Sequence, residues 1–379
     1  MTKDKVRPHE RHDFQNMSEQ EKKQQLLFRL VSDYDSTTHR NQFLPANHQR
    51  HDWYRDFHYL TSKNWDPAFG GRQPYVVATM LLDAYSHLPQ RPDLAFNFTW
   101  SAANSAYNDL YLNSAQSTGA SLNDSKSIDH ASKRIADLLD SEIDLGAHDS
   151  GACQTVTVEE LLRSLMRAIP RKTLHFLASY VLKGHCIEAA SGKLDASDRP
   201  LVRPIHIPSS YSTFKRKYEK LFEQIEPSFG RKYLALCNPS EREDKIDVHF
   251  GIKAENADKS RKLIDALGFW LLAAWEDSDA STASTLWQSK QDWVRFPLQC
   301  ILYAARNSTV HGNVPSRLNS LFSDADSVTS NAWLFLCCYV YLGLILKCSG
   351  SLELSDLAPL VCNVDAFSKC EPPPKRPRS

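Results

Sequence analysis

The chain is short of glycine, and several nucleotide-handling folds are excluded with it. It has 13 glycines in 379 residues, roughly half the usual share. No G-x-x-x-x-G-K-[ST], G-x-G-x-x-G or G-x-S-x-G occurs. Those loops need glycine where backbone closes on a phosphate or turns sharply behind a nucleophile. Without them the P-loop, Rossmann and α/β-hydrolase readings have no basis. Net charge is lacking too: 45 Lys+Arg against 45 Asp+Glu leave a formal charge of 0. No general pull on polyanions results, so any nucleic-acid contact must rest on a local patch. The cysteines number nine, an odd count, and form no C-x-x-C. Met1-Thr2-Lys3-Asp4-Lys5 opens no apolar run. These features predict a reduced, cytoplasmic protein without a signal peptide.

Long hydrophobic runs are scarce. The longest, Ala332 to Leu346, is 15 residues, short of the ~20 that a bilayer requires. It predicts a core helix surrounded by others, or one buried in a dimer interface, and no membrane partner.

What the chain has in quantity is helix punctuation. Thr157-Val158-Glu159-Glu160 and Ser18-Glu19-Gln20-Glu21 read as capping boxes ahead of apolar residues at helical spacing. Pro92 and Pro170 suit first turns. Helices are expected over His48–Leu60, Tyr75–Leu88, from Arg91 to at least Tyr107, from the Thr157 box through Met166, Pro170–Gly184, Tyr211–Ile225, Ala257–Asp277 and Asn331–Lys347. A further one spans Leu286–Arg306, bent at Pro297. Gly184 is expected as a stop, residues 114–128 as a loop, and Val202–Ile207 as a short strand. The fold class is therefore all-α, a helical bundle with an N-terminal helical extension. The organisation predicted is a flexible arm at 1–17, an extension at 18–72 and a main domain at 73–366. Insertions are expected at 114–150 and 185–256, and a disordered basic tail at 367–379.

The most informative stretch is Leu302-Tyr303-Ala304-Ala305-Arg306-Asn307-Ser308-Thr309-Val310-His311-Gly312. Arg with His five residues later recurs at Arg7 and His12, but Pro8 interrupts that copy and no apolar helix precedes it. Around Arg306 the setting differs: an apolar helix leads in, a polar Asn307 is next, and Gly312 comes after His311. This pattern resembles the signature of the HEPN family of helical nucleases. Ala95-Phe96-Asn97-Phe98-Thr99-Trp100-Ser101-Ala102-Ala103-Asn104-Ser105-Ala106-Tyr107 is similar to an early core helix of long, defence-associated members. Together the two stretches cover about 30 of the 379 residues.

The residue chemistry agrees with that resemblance. Arg offers a permanent charge and a planar fork to phosphate oxygens. His exchanges a proton near neutral pH. RNA brings its own nucleophile, the 2′-OH, so no metal or other cofactor is needed in principle. Arg306 is expected to stabilise phosphate charge, His311 to transfer the proton and Asn307 to orient one of them. One His at the site supplies one proton-transfer group. The resemblance implies a homodimer with a composite site, metal-independent cleavage to 2′,3′-cyclic phosphate ends, and an antiviral or toxin role. On an ideal helix five residues turn 500°, so Arg306 and His311 stand about 140° apart, while Asn307 and His311 share a face.

Other candidates are weaker. Lys215, Arg216, Lys217 and Tyr218 interleave bases with aromatics in a manner that suits RNA. His48, His51 and His58, with Asp52 and Asp56, share a helical face that reads as a solvated surface before it reads as a metal site. The tail Lys375-Arg376-Pro377-Arg378 resembles a nuclear signal or polyanion-binding segment. The sequence thus predicts an RNA endonuclease with RNA as its partner. The competing reading is a non-catalytic helical module that binds RNA or protein.

Overall fold

In a computed structural model of the chain, the structure describes residues 52–66, 68, 74–114, 123–147, 153–194, 198–242, 245–249, 254–277, 286–310 and 324–370, with Ser18 and Lys22. In chain order the helices begin with α1 (Tyr75–Ser86), α2 (Pro92–Ser114), α3 (Asp124–Ala136), α4 (Val158–Arg167) and α5 (Arg171–Ser191). They continue with α6 (Ser209–Lys217), α7 (Glu219–Ile225), α8 (Arg231–Leu234) and α9 (Ala254–Glu276). The last four are α10 (Lys290–Phe296), α11 (Ala304–Val310), α12 (Ala325–Cys348) and α13 (Ala358–Cys370). Two antiparallel hairpins are the only sheets among the described residues: β1 (Glu142–Ala147) with β2 (Cys153–Thr157), and β3 (Asn238–Arg242) with β4 (Lys245–His249). The fold is all-α, as the punctuation predicts.

Helix α12 is the axis. Asp324 caps it with a reciprocal Ser327 box, and every residue from Ser327 to Leu346 is buried. Helices α2, α3, α5 and α13 surround it. Its polar atoms find partners across the core. Trp333 Nε1 donates to the Leu165 carbonyl at 2.9 Å, and Tyr341 Oη to the Val294 carbonyl at 2.8 Å. Tyr339 Oη accepts from the Leu60 amide at 2.6 Å. Satisfied partners let polar groups sit in an apolar interior without the desolvation cost of an orphan.

The expected caps at Thr157, Pro170 and Pro92 all stand at helix starts. Other expectations are corrected. Residues 52–60 form only a 3-10 turn, Asp52–Tyr54, and then extended chain. Trp53 packs edge-on against Phe367, and Phe57 packs against Phe335 and Tyr339. This part of the extension is thus joined to the main core. Phe367 is fully buried and α13 runs to Cys370, so the chain is ordered four residues into the stretch expected as tail. Asn123 caps α3, which starts inside the expected loop. Ile128, Ala131 and Ile135 on α3, and Tyr211 and Phe214 on α6, belong to the central core, so neither expected insertion is peripheral. Val202–Ile207 is not a strand; Pro204–His206 forms a 3-10 turn, because proline fixes φ and offers no amide to a ladder. The basic helix is interrupted at Tyr218, whose φ of −125° and ψ of 50° separate α6 from α7. The arm at 1–17, all of 18–51 except Ser18 and Lys22, and residues 371–379 lie outside the described residues.

Gly184 does not stop α5; the helix continues to Ser191. A Cβ there would overlap the Cβ and Cγ of Tyr211, itself fully buried. The missing side chain is what lets α6 lie against α5. Gly184→Ala is expected to lower stability by roughly 3 kcal/mol or more, the upper range for overpacking a rigid core. Chemical denaturation of the two proteins measures it.

Candidate functional site

The motif helix is not a smooth helix. Between α10 and α11, residues Pro297–Tyr303 form a π segment. Pro297 has no amide hydrogen, so the carbonyl of Trp293, four residues back, loses its α-helical donor. Trp275 Nε1 supplies the bond at 3.1 Å, and Trp293 Nε1 returns one to the Trp275 carbonyl at 3.1 Å. The two indoles stack with centroids 4.1 Å apart. Further along, Tyr180 Oη on α5 donates to the Cys300 carbonyl at 2.8 Å. The expected bend at Pro297 is thus a wound segment clamped from α9 and α5.

This clamp sets where α11 emerges. Arg306 and Asn307 lie on it, both half-buried. Arg306 Nη1 donates to Asn307 Oδ1 at 3.0 Å, and no carboxylate among the described residues pairs with the guanidinium. The next segment, His311 to Ser323, contains no Asp or Glu in its sequence. Just behind, Trp100 of α2 meets Tyr303 with centroids 6.0 Å apart, so the two motif-bearing stretches touch. Burial pushes the Tyr107 phenol well above its ordinary range, and the charge of Arg306 pulls it back only in part. His311 lies outside the described residues.

Asn307 and Ser308 line a groove of about 530 Å³. Its other wall is one face of α5: Lys172, His175, Phe176, Ser179, Tyr180 and Lys183. These positions fall at i, i+3, i+4, i+7, i+8 and i+11, the repeat of a single helical stripe. The opposite stripe, Leu174, Leu177, Ala178 and Val181, is buried in the core. Lys183 is exposed and pairs with no carboxylate among the described residues. A neighbouring cavity of about 710 Å³ shares Lys172 and His175 and adds Arg171, Arg261 and Lys262. Three of its four carboxylates are paired: Asp258 to Arg261, Asp324 to Lys172 at 3.0 Å, and Asp265 to both Arg171 and His175; Asp326 is the fourth.

The basic-aromatic patch expected at Lys215, Arg216, Lys217 and Tyr218 is not an RNA surface of the kind predicted. Tyr218 is buried, meeting Trp287 and Phe296 edge-on under the Arg295 guanidinium. Lys217 is bound to Asp129 at 2.5 Å and Lys215 to Glu188 at 2.7 Å. Arg216 alone of the four is exposed. Tyr211, Phe214 and Tyr218 recur at helical spacing, and that stripe belongs to the core. His58 lies on extended chain and is not on a helix with Asp52; its expected companions His48 and His51 lie outside the described residues. No group of metal-ligating residues occurs among the described residues.

The chain matches no protein-family model, no curated protein and no solved structure. Its site is therefore read from its own residues. Sequence reasoning missed His175, Lys172 and Lys183, which lie over a hundred residues from the motif.

Asp265 provides a pH readout for this region. Burial raises its carboxyl, but hydrogen bonds from Arg171 and His175 outweigh that and hold it below the ordinary 3.8. A depressed folded value means the carboxylate stabilises the fold above the ordinary value and stops doing so as pH falls through the folded one. Asp265→Asn should therefore be less stable than wild type at pH 7, with the gap closing below about pH 4. Urea midpoints measured from pH 7 down to pH 3 test this.

Proposed function

We propose that this chain is a metal-independent RNA endonuclease of the HEPN type, acting as a homodimer, with Arg306, Asn307 and His311 at its site. The observation that carries this reading is Arg306 itself. A half-buried guanidinium is costly unless an anion completes it; Arg306 has no carboxylate partner among the described residues and stands beside a groove whose far wall carries Lys183, likewise unpaired among them. That arrangement suits a phosphodiester: Lys183 draws in the backbone, and the Arg306 fork meets the charge that builds on the non-bridging oxygens. The 2′-OH attacks the adjacent phosphorus once a base removes its proton, the role assigned to His311. The 5′-oxygen leaves, and a 2′,3′-cyclic phosphate remains. An antiviral or toxin role rests on the motif's resemblance alone.

The balance of charge favours a selective enzyme. With a formal net charge of 0, affinity for RNA is confined to this groove and is not spread over the surface.

The test is cleavage of total RNA and of a synthetic oligonucleotide in the presence of a chelator. Wild type is expected to cleave. Arg306→Ala and His311→Ala are each expected to lose about 10²–10⁴-fold in rate, with products ending in cyclic phosphate. Binding without cleavage by wild type would instead make the chain a non-catalytic RNA-binding module.

A further inference from the structure

The groove holds a second imidazole that the motif does not contain. His175 sits on the α5 face opposite Asn307, where the two cavities meet. Its Nδ1 lies 2.9 Å from Asp265 Oδ1. A carboxylate only accepts, so Nδ1 is the donor and Nε2 is the nitrogen left for the groove. Asp265 is itself held by Arg171 from α5. This is the arrangement in which a buried carboxylate fixes the tautomer and aim of a catalytic ring and offsets the charge it carries when both nitrogens are protonated. The pair joins α5 to α9 with the imidazole outermost: the His175 side chain is 37% exposed and that of Asp265 13%.

We propose that His175, aimed by Asp265, is a second proton-transfer residue of this site. It lies in the same chain as Arg306 and Asn307 and acts as the acid for the departing 5′-oxygen. The inference rests on the reading of the groove as an RNA-cleaving site. In the step, the 2′-oxygen loses its proton to the base and forms a bond to phosphorus. The bond from phosphorus to the 5′-oxygen breaks, and that oxygen takes the proton from His175 Nε2. One proton is gained by the base and one lost by the acid, so no further reactant is needed, and solvent exchange resets both. Lys183, eight residues after His175 on the same stripe, holds the strand. Each chain would then carry both proton-transfer groups, and a dimer would not be required to bring a second histidine.

The test compares RNA oligonucleotides with a normal linkage and with sulfur in place of the bridging 5′-oxygen at one bond. A thiolate leaves without protonation, so loss of the acid is masked on that substrate only. His175→Gln is expected to slow normal RNA by about 10²–10³-fold and the sulfur substrate by less than about tenfold. Asp265→Asn should show the same pattern more weakly; misfolding of either variant would slow both substrates alike. His311→Ala should be slow on both substrates. Mixing His175→Gln with Arg306→Ala chains should restore nothing, because each site is complete within its own chain. Equal losses on the two substrates, or wild-type rates for His175→Gln while Arg306→Ala and His311→Ala are inactive, would overturn this inference and leave the endonuclease reading intact. Restored activity on mixing would overturn the same-chain assignment. A wild type that cleaves neither substrate would remove the endonuclease reading and this inference with it.

Discussion

The structure turns on a hydrogen bond that Pro297 cannot make. A proline inside a buried helix orphans the carbonyl four residues before it, and an orphan in the core costs about 1–3 kcal/mol. Here Trp275 fills that vacancy, and Trp293 answers with a bond in the other direction. Tyr341 takes the next carbonyl, Val294, and Tyr180 takes Cys300. Three helices distant in sequence thereby grip one interrupted segment. π segments are often found at functional sites because they shift the register of the helix C-terminal to them. In this chain that helix is α11, which carries Arg306 and Asn307, and the Tyr180 that helps fix the segment also lines their groove.

That coupling explains what was legible beforehand and what was not. Helix starts are local chemistry: a capping box or a proline at the first turn is written in consecutive residues, and Thr157, Pro92 and Pro170 read correctly. The Ala332–Leu346 run is equally local, since all-round apolarity admits few environments for a helix. Long-range placements have no such record. Nothing near His175 in the sequence announces Asp265, 90 residues later. Likewise nothing near Gly184 announces the Tyr211 ring that requires it. Glycine there looked like a stop because stops are the commoner local use of glycine; a close helix crossing has the same sequence signature.

Tyr218 shows how a composition argument misleads. Lysines and aromatics alternating along a segment describe an RNA-binding surface, but they equally describe an amphipathic helix with an aromatic core face and a basic outer one. Spacing separates the two. Tyr211, Phe214 and Tyr218 fall on one stripe and are buried, and the lysines between them are turned to carboxylates on α3 and α5. Among the described cations near the groove, Arg306 and Lys183 have no carboxylate partner.

The zero net charge is therefore not evenly neutral. Most cations near the groove have a carboxylate assigned to them: Arg171 has Asp265, Arg261 has Asp258, Lys172 has Asp324. Such pairs bring little to stability at an exposed surface, but they remove the charge from general use. On the proposed reading, a strand of RNA approaching this face would meet mostly pairs that are already satisfied, with Lys183 in the groove and Arg306 beside it among the described cations that have no carboxylate. Local excess within a balanced surface concentrates the field where low-dielectric walls strengthen it. Specificity for a position along the strand would then arise from which cations are left unpaired, and the pairing itself depends on α5 being held against α9, α12 and the π segment.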